Sequence, residues 1–152
     1  MNKRHLLTSA LSLIMATACS DSTGVETADL LGEWEAQSMV VSSVADPTMT
    51  VDLMELGATV TVTFGEEATY SVTETEYGDG GMENESGTYT VSGSILTTVE
   101  MIEGQVGDTE EMTIVLNGNS MTLTMSDMWD FNDDGTETPA VLVIGFTRSV
   151  IQ

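Results

Sequence analysis

Positive charge is what this chain most lacks: 152 residues hold three Lys or Arg and one histidine against 25 acids. Lys3, Arg4 and His5 all lie at the very start, so the rest of the chain carries one cation, Arg148. Cysteine is nearly as scarce, with Cys19 alone, and an internal disulfide is therefore excluded. Beyond Cys19 the chain has no material for a Ser-His-Asp triad, a thiolate nucleophile, a Schiff-base lysine or a histidine-ligated zinc. Carboxylates are the acid–base groups that remain. No catalytic residue stands out among them, and a carboxylate-based enzyme is the minor alternative to a non-catalytic protein. A surface this acidic repels nucleic acid and anionic headgroups. It suits divalent cations, basic partners or a saline medium.

Long apolar runs are scarce too. Residues 6–18 form one, broken only by Thr and Ser, preceded by Lys3 and Arg4 and closed by small residues. It is too short to cross a bilayer as a helix and reads as a secretory signal over residues 1–18. Its closing residues, Ala16-Thr17-Ala18-Cys19, resemble the lipobox of bacterial lipoproteins, whose cysteine is acylated and becomes the first residue. The resemblance implies lipidation at Cys19 and attachment to a membrane through that anchor; plain secretion is the alternative. Enterobacterial lipoproteins with Asp directly after the cysteine tend to stay in the inner membrane. Ser20 stands there, which implies the outer membrane. Residues 20–29, SDSTGVETAD, are polar and aperiodic, a tether of roughly 35 Å at full stretch. From Cys19 onward one cation faces 25 anions, a net charge of −24. That length suffices for one domain, over residues 30–152.

From Glu33 the period of the pattern is two, with Thr and Val dominant and turn residues every eight to twelve positions. Eight strands are expected, at 33–41, 58–64, 68–77, 85–92, 94–101, 110–116, 120–128 and 140–150. A short helix is expected at 51–56. Short Gly-containing links such as Ser92-Gly93-Ser94 and Asn117-Gly118-Asn119 make neighbouring strands antiparallel. Val60, Val62 and Phe64 share one face while Thr59, Thr61 and Thr63 share the other. Met112, Ile114 and Leu116 alternate in the same way, as do Met121, Leu123 and Met125. The expected fold is all-β: an eight-stranded up-and-down meander closed into a barrel, with a two-sheet β-sandwich as the alternative. A monomer is expected.

Asp29-Leu30-Leu31-Gly32-Glu33-Trp34 resembles the helical turn and G-x-W that open the first lipocalin strand. Phe146-Thr147-Arg148 resembles the end of the last strand, where that family sets an Arg across the Trp. Residues 87–93, GTYTVSG, resemble a segment common in bacterial lipocalin-like lipoproteins. The resemblance implies a calycin-type barrel over about residues 29–150, closed by Trp34 and Arg148 in structural roles, and binding of a small hydrophobic ligand. No match to the second lipocalin motif is found, and no helix follows the last strand. Alternation places Trp34 inward with Ala36, Ser38 and Val40, and Arg148 inward with Leu142, Ile144 and Phe146. A cation stacked on an indole contributes roughly 0.5–2 kcal/mol.

Met112, Met121 and Met125, with Met101 and Met128 as further candidates, make the inward face adaptable to an apolar ligand. The same residues equally read as core filler. Residues 130–137, DFNDDGTE, match D-x-N-x-D-G, the first half of an EF-hand-type calcium loop, through Asp130, Asn132 and Asp134. Val141 stands where the bidentate Glu belongs, so Glu137 or Asp127 would have to complete a weak site. The alternative is an acidic hairpin loop of a structural or interaction protein. Residues 77–85 read as a flexible acidic loop. The pairs Glu66/Glu67 and Glu110/Glu111 point to opposite faces of their strands and read as solvated charge.

Overall fold

The computed structural model describes residues 24–75 and 81–149. Cys19, the leader, residues 20–23 of the tether and the tip of the 77–85 loop lie outside the described residues, and α1 takes up the end of the tether. A one-turn helix, α1 (Thr27–Leu30), precedes nine strands: β1 (Gly32–Ser43), β2 (Thr50–Asp52), β3 (Thr59–Phe64), β4 (Thr69–Thr75), β5 (Met82–Ser92), β6 (Ile95–Ile102), β7 (Gln105–Asn117), β8 (Ser120–Trp129) and β9 (Thr138–Arg148). From β3 to β9 each strand pairs antiparallel with the next. The circle closes where β1 pairs β3 through Gly32–Glu35 on one edge and β9 along its length on the other. Eight strands thus form a closed antiparallel barrel. The ninth, β2, is a short addition to the far half of β1, with Val51 opposite Val41.

That addition replaces the helix expected at 51–56. The Asp52 carboxylate accepts the Met54 and Glu55 amides, and the Leu56, Gly57 and Ala58 amides return to the Leu53 and Met54 carbonyls. An Asx-type turn therefore takes these residues directly into β3. The β6–β7 link is also tighter than expected. Glu103 and Gly104 both have positive φ, the pattern of a two-residue hairpin turn, and β7 begins at Gln105 instead of Glu110.

Alternation assigns the faces of β3, β7 and β8, but β1 changes phase. Ala36 faces Phe146 and Ser38 faces Gly145, so Gln37 is an extra residue, a β-bulge. Beyond it Met39, Val41 and Ser43 turn inward and are buried, in place of the expected Ser38 and Val40.

Three aromatic rings fill the barrel base. Trp34 is fully buried, and Phe64 and Tyr89 meet edge to face with centroids 4.8 Å apart. Leu30, also fully buried, carries α1 across this end as a plug, and the Tyr89 hydroxyl donates to the Thr27 carbonyl. The opposite end is the mouth. The β7–β8 ladder starts at the base, at Asn117↔Ser120, and stops at Thr113↔Thr124, short of the mouth. Towards the mouth β7 continues on β6 and β8 continues on β9, which leaves a slit in the wall.

Candidate functional site

The barrel encloses a cavity of about 320 Å³ that opens at the mouth. Its lower wall is apolar. Leu96, Met112, Leu123, Ile144 and Phe146 come from four strands, and Met39 and Leu53 close it from the β1–β2 side. Nearer the mouth the inward positions change chemistry. Tyr70 and Thr98 are buried there, and Glu74, Glu85 and Glu110 complete the lining. The change follows from the pleat: inward positions two residues apart run Tyr70, Val72, Glu74 on β4, and Met112, Glu110 on β7.

This polar end is organised around Tyr70. Its hydroxyl donates to Glu85 Oε1. Burial, this hydrogen bond, and the charges of Glu85 and Glu100 push the phenol well above its usual range, so it stays protonated. Glu110 is also pushed up, first by burial of its carboxyl against the wall and then by Glu85, Asp108, Asp127 and Glu100. A folded-state pKa above the unfolded value means that ionising Glu110 costs stability, and the cost appears as pH rises through the raised pKa. Glu110→Gln should therefore match wild type below pH 4.5 and exceed it at neutral pH, by roughly 0.5 kcal/mol or less for so exposed a group. Urea unfolding at both pH values measures this. A variant no more stable at pH 7 would show that like-charge repulsion at the mouth is screened away.

At the other end Trp34 and Arg148 face each other across the β1–β9 ladder. The Arg148 guanidinium carbon lies 4.3 Å from the indole centroid. Its nitrogens donate to the Leu31 carbonyl and, at 2.6 Å, to the Asp29 carbonyl, while Trp34 Nε1 donates to the Leu30 carbonyl at 2.7 Å. The chain entering the barrel is thus fastened to its last strand. The profile of the lipocalin-like domain family matches residues 30–123. The chain belongs to the lipocalin-like domain family.

A crystal structure of a lipocalin-like protein from Bacteroides uniformis is similar at 18% identity, covering 80% of this chain and 99% of that one, with a TM-score of 0.47. No curated protein matches the chain.

In this lipocalin-like barrel the methionines divide. Met112 and Met125 line the cavity, whereas Met121, almost wholly buried, pairs with Phe146 and Leu116 at the next level down and packs as core. Met101 and Met128 are exposed, so neither reaches the cavity; the hairpin at Glu103-Gly104 and the strand end at Trp129 leave them on the outside. Met39 does reach it, and only the bulge at Gln37 puts it there. Glu110 is exposed, as expected of solvated charge, and its side chain also lines the cavity at the mouth. Glu111 points the other way, into a groove on the outer surface.

The 130–137 loop is ordered by Asp130 itself. Its carboxylate accepts the amides of Asn132 at 3.1 Å, Asp134 at 3.3 Å and Gly135 at 2.6 Å. Desolvation raises its pKa, but the amides of Gly135, Asp134, Asn132 and Asp133 outweigh this and hold it below the usual range. Asp134 caps the Thr136 amide at 2.8 Å. Among the described residues no group of three or more His, Cys, Asp or Glu is gathered for a metal ion.

Proposed function

We propose that this protein is a lipid-anchored, extracytoplasmic lipoprotein whose barrel binds a small hydrophobic ligand as a monomer, without catalysing a reaction. The observation that carries the reading is the cavity. A barrel sealed at its base by Trp34, Arg148 and α1 keeps about 320 Å³ open over an apolar floor, at the low end of the size of small-molecule sites. The leader over residues 1–18, with Cys19 at its end, supports anchoring, and Ser20 favours the outer membrane. Without histidine or lysine beyond the leader, binding is a better account of the cavity than catalysis. Calcium at Asp130, Asn132 and Asp134 has less behind it, since the Asp130 carboxylate already holds its own loop.

One preparation in two forms tests the reading. Wild type made with its leader should partition into detergent, and Cys19→Ala should be soluble. A neutral apolar probe such as 1-octanol should raise the melting temperature of the soluble form, because a ligand bound only by the folded state adds RT ln(1 + [L]/Kd), about 2.7 kcal/mol at a hundredfold excess over Kd. Met125→Trp, which places a large ring in the cavity, should abolish the shift. A soluble wild type defeats the anchor. No shift with 1-octanol or with its charged analogues defeats the ligand site.

A further inference from the structure

The cavity carries more information than its volume. Its floor would accept any small apolar body, but its mouth is of one sign. Glu85 and Glu110 are part of the lining, and Glu100, Asp108 and Asp127 act electrostatically on the same spot. Glu110 and Met112 form one margin of the slit between β7 and β8; Met125 and Asp127 stand on the other. Beyond the leader the chain has a single cation, and Arg148 is committed at the opposite end, over Trp34 and on the Asp29 and Leu31 carbonyls. Among the described residues no basic side chain is therefore left to balance the carboxylates at the cavity's polar end.

We infer that the ligand is a small cationic amphiphile, an organic ammonium whose apolar part lies on the Leu96–Phe146 floor and whose charge lies between Glu85 and Glu110 at the mouth. The inference rests on the proposed binding function and narrows it. A fatty acid with its headgroup at the mouth would set a further anion beside carboxylates that already repel one another, and a neutral lipid would leave them as they are. An ammonium removes the repulsion and donates charge-assisted hydrogen bonds to both carboxylates, stronger than those a neutral head could make. A bare divalent ion is a poorer fit. It would leave the apolar floor unused, and the described residues gather no three-ligand metal group. Volume sets the scale: about 320 Å³ suits a single ring or a short alkyl chain, not a long-chain lipid.

Octylammonium, 1-octanol and octanoate share a tail and differ in head charge, so calorimetric titration of the soluble Cys19→Ala protein with all three separates the cases. High ionic strength is needed, since the acidic exterior attracts any cation at low salt. Octylammonium should bind at least about tenfold more tightly than octanol, and octanoate more weakly than either. Glu110→Gln and Glu85→Gln should each weaken octylammonium several-fold and leave octanol unchanged, whereas Glu111→Gln, on the outer face, should alter neither. Tetramethylammonium, a charge without a tail, should show no saturable binding. Equal affinity for the three octyl probes, or loss on Glu111→Gln equal to that on Glu110→Gln, overturns the inference while leaving a hydrophobic site in place. Absence of binding by all three would remove the binding function itself.

Discussion

Trp34→Ala should lower the free energy of unfolding by about 3–5 kcal/mol, the cost of emptying a fully buried aromatic site. The indole packs the barrel base, donates from Nε1 to the Leu30 carbonyl, and offers the face on which Arg148 rests. Arg148→Ala should cost less, roughly 1–3 kcal/mol, because the stacked cation is lost and the Asp29 and Leu31 carbonyls lose their donor. The two losses should not add. Once Trp34 is gone the guanidinium has no ring to lie on, so the double variant should be more stable than the sum of the singles implies, by at least about 0.5 kcal/mol. Urea unfolding of the four proteins measures the coupling. Since a domain of this size has roughly 5–15 kcal/mol in total, Trp34→Phe provides a milder form if the alanine variant does not fold. Strict additivity would mean that the two side chains stabilise the base independently.

The lower half of the barrel is legible in the sequence because alternation there is undisturbed. Val60, Val62 and Phe64 are apolar in every inward position of β3, and Thr fills the outward ones, so strand, face and neighbour follow from one pattern. Trp34 and Arg148 sit within two such stretches, and a cation alternating with Leu142, Ile144 and Phe146 is conspicuous in a chain this poor in cations. The pattern breaks at Gln37. A bulge inserts one residue without altering composition, and in QSMVVSS nearly every residue tolerates either face. Nothing local marks the phase change; it exists because β1 must follow β9 past Gly145 while bending round the base.

The mouth is illegible for a different reason. The strands expected at 68–77, 85–92 and 110–116 already reach Glu74, Glu85 and Glu110, but reading inward faces as apolar gives a carboxylate on such a face no role. Glu110 is then taken for solvated charge alone, although the same alternation that faces Met112 inward faces Glu110 inward too. Tyr70 and Glu85 show the same effect from two strands. Val72 lies opposite Glu85 in the β4–β5 ladder, so the phenol two residues before Val72 reaches the carboxylate obliquely, across a register that only the paired structure fixes. Following the alternation to the end of each expected strand would have found the acids. Their convergence on one cavity would still have required the closed barrel.

Gly87→Ala should be the most damaging small substitution in the upper barrel, at about 3 kcal/mol, although adding a methyl group to a strand glycine ordinarily stabilises by reducing unfolded-state entropy. Space decides the sign. A Cβ at Gly87 would lie 2.0 Å from the Val99 carbonyl oxygen and 2.9 Å from Tyr70 Cε1. The oxygen is backbone in β6, where Gly87 pairs with Glu100, so relief requires β5 and β6 to part. The ring has little freedom either, since Tyr70 is buried and its hydroxyl is held by Glu85. Displacing it would shift the Tyr70–Glu85 pair that orders the cavity's polar end, so affinity for a bound amphiphile should fall together with stability. Thr88→Ala, next in the strand and pointing outward, is the comparison and should change stability by less than about 0.5 kcal/mol. Urea midpoints of the two variants give the answer. If Gly87→Ala unfolds at the wild-type midpoint, β5 and β6 do not approach this closely at Gly87, and the tight seat for Tyr70 beside the cavity goes with them.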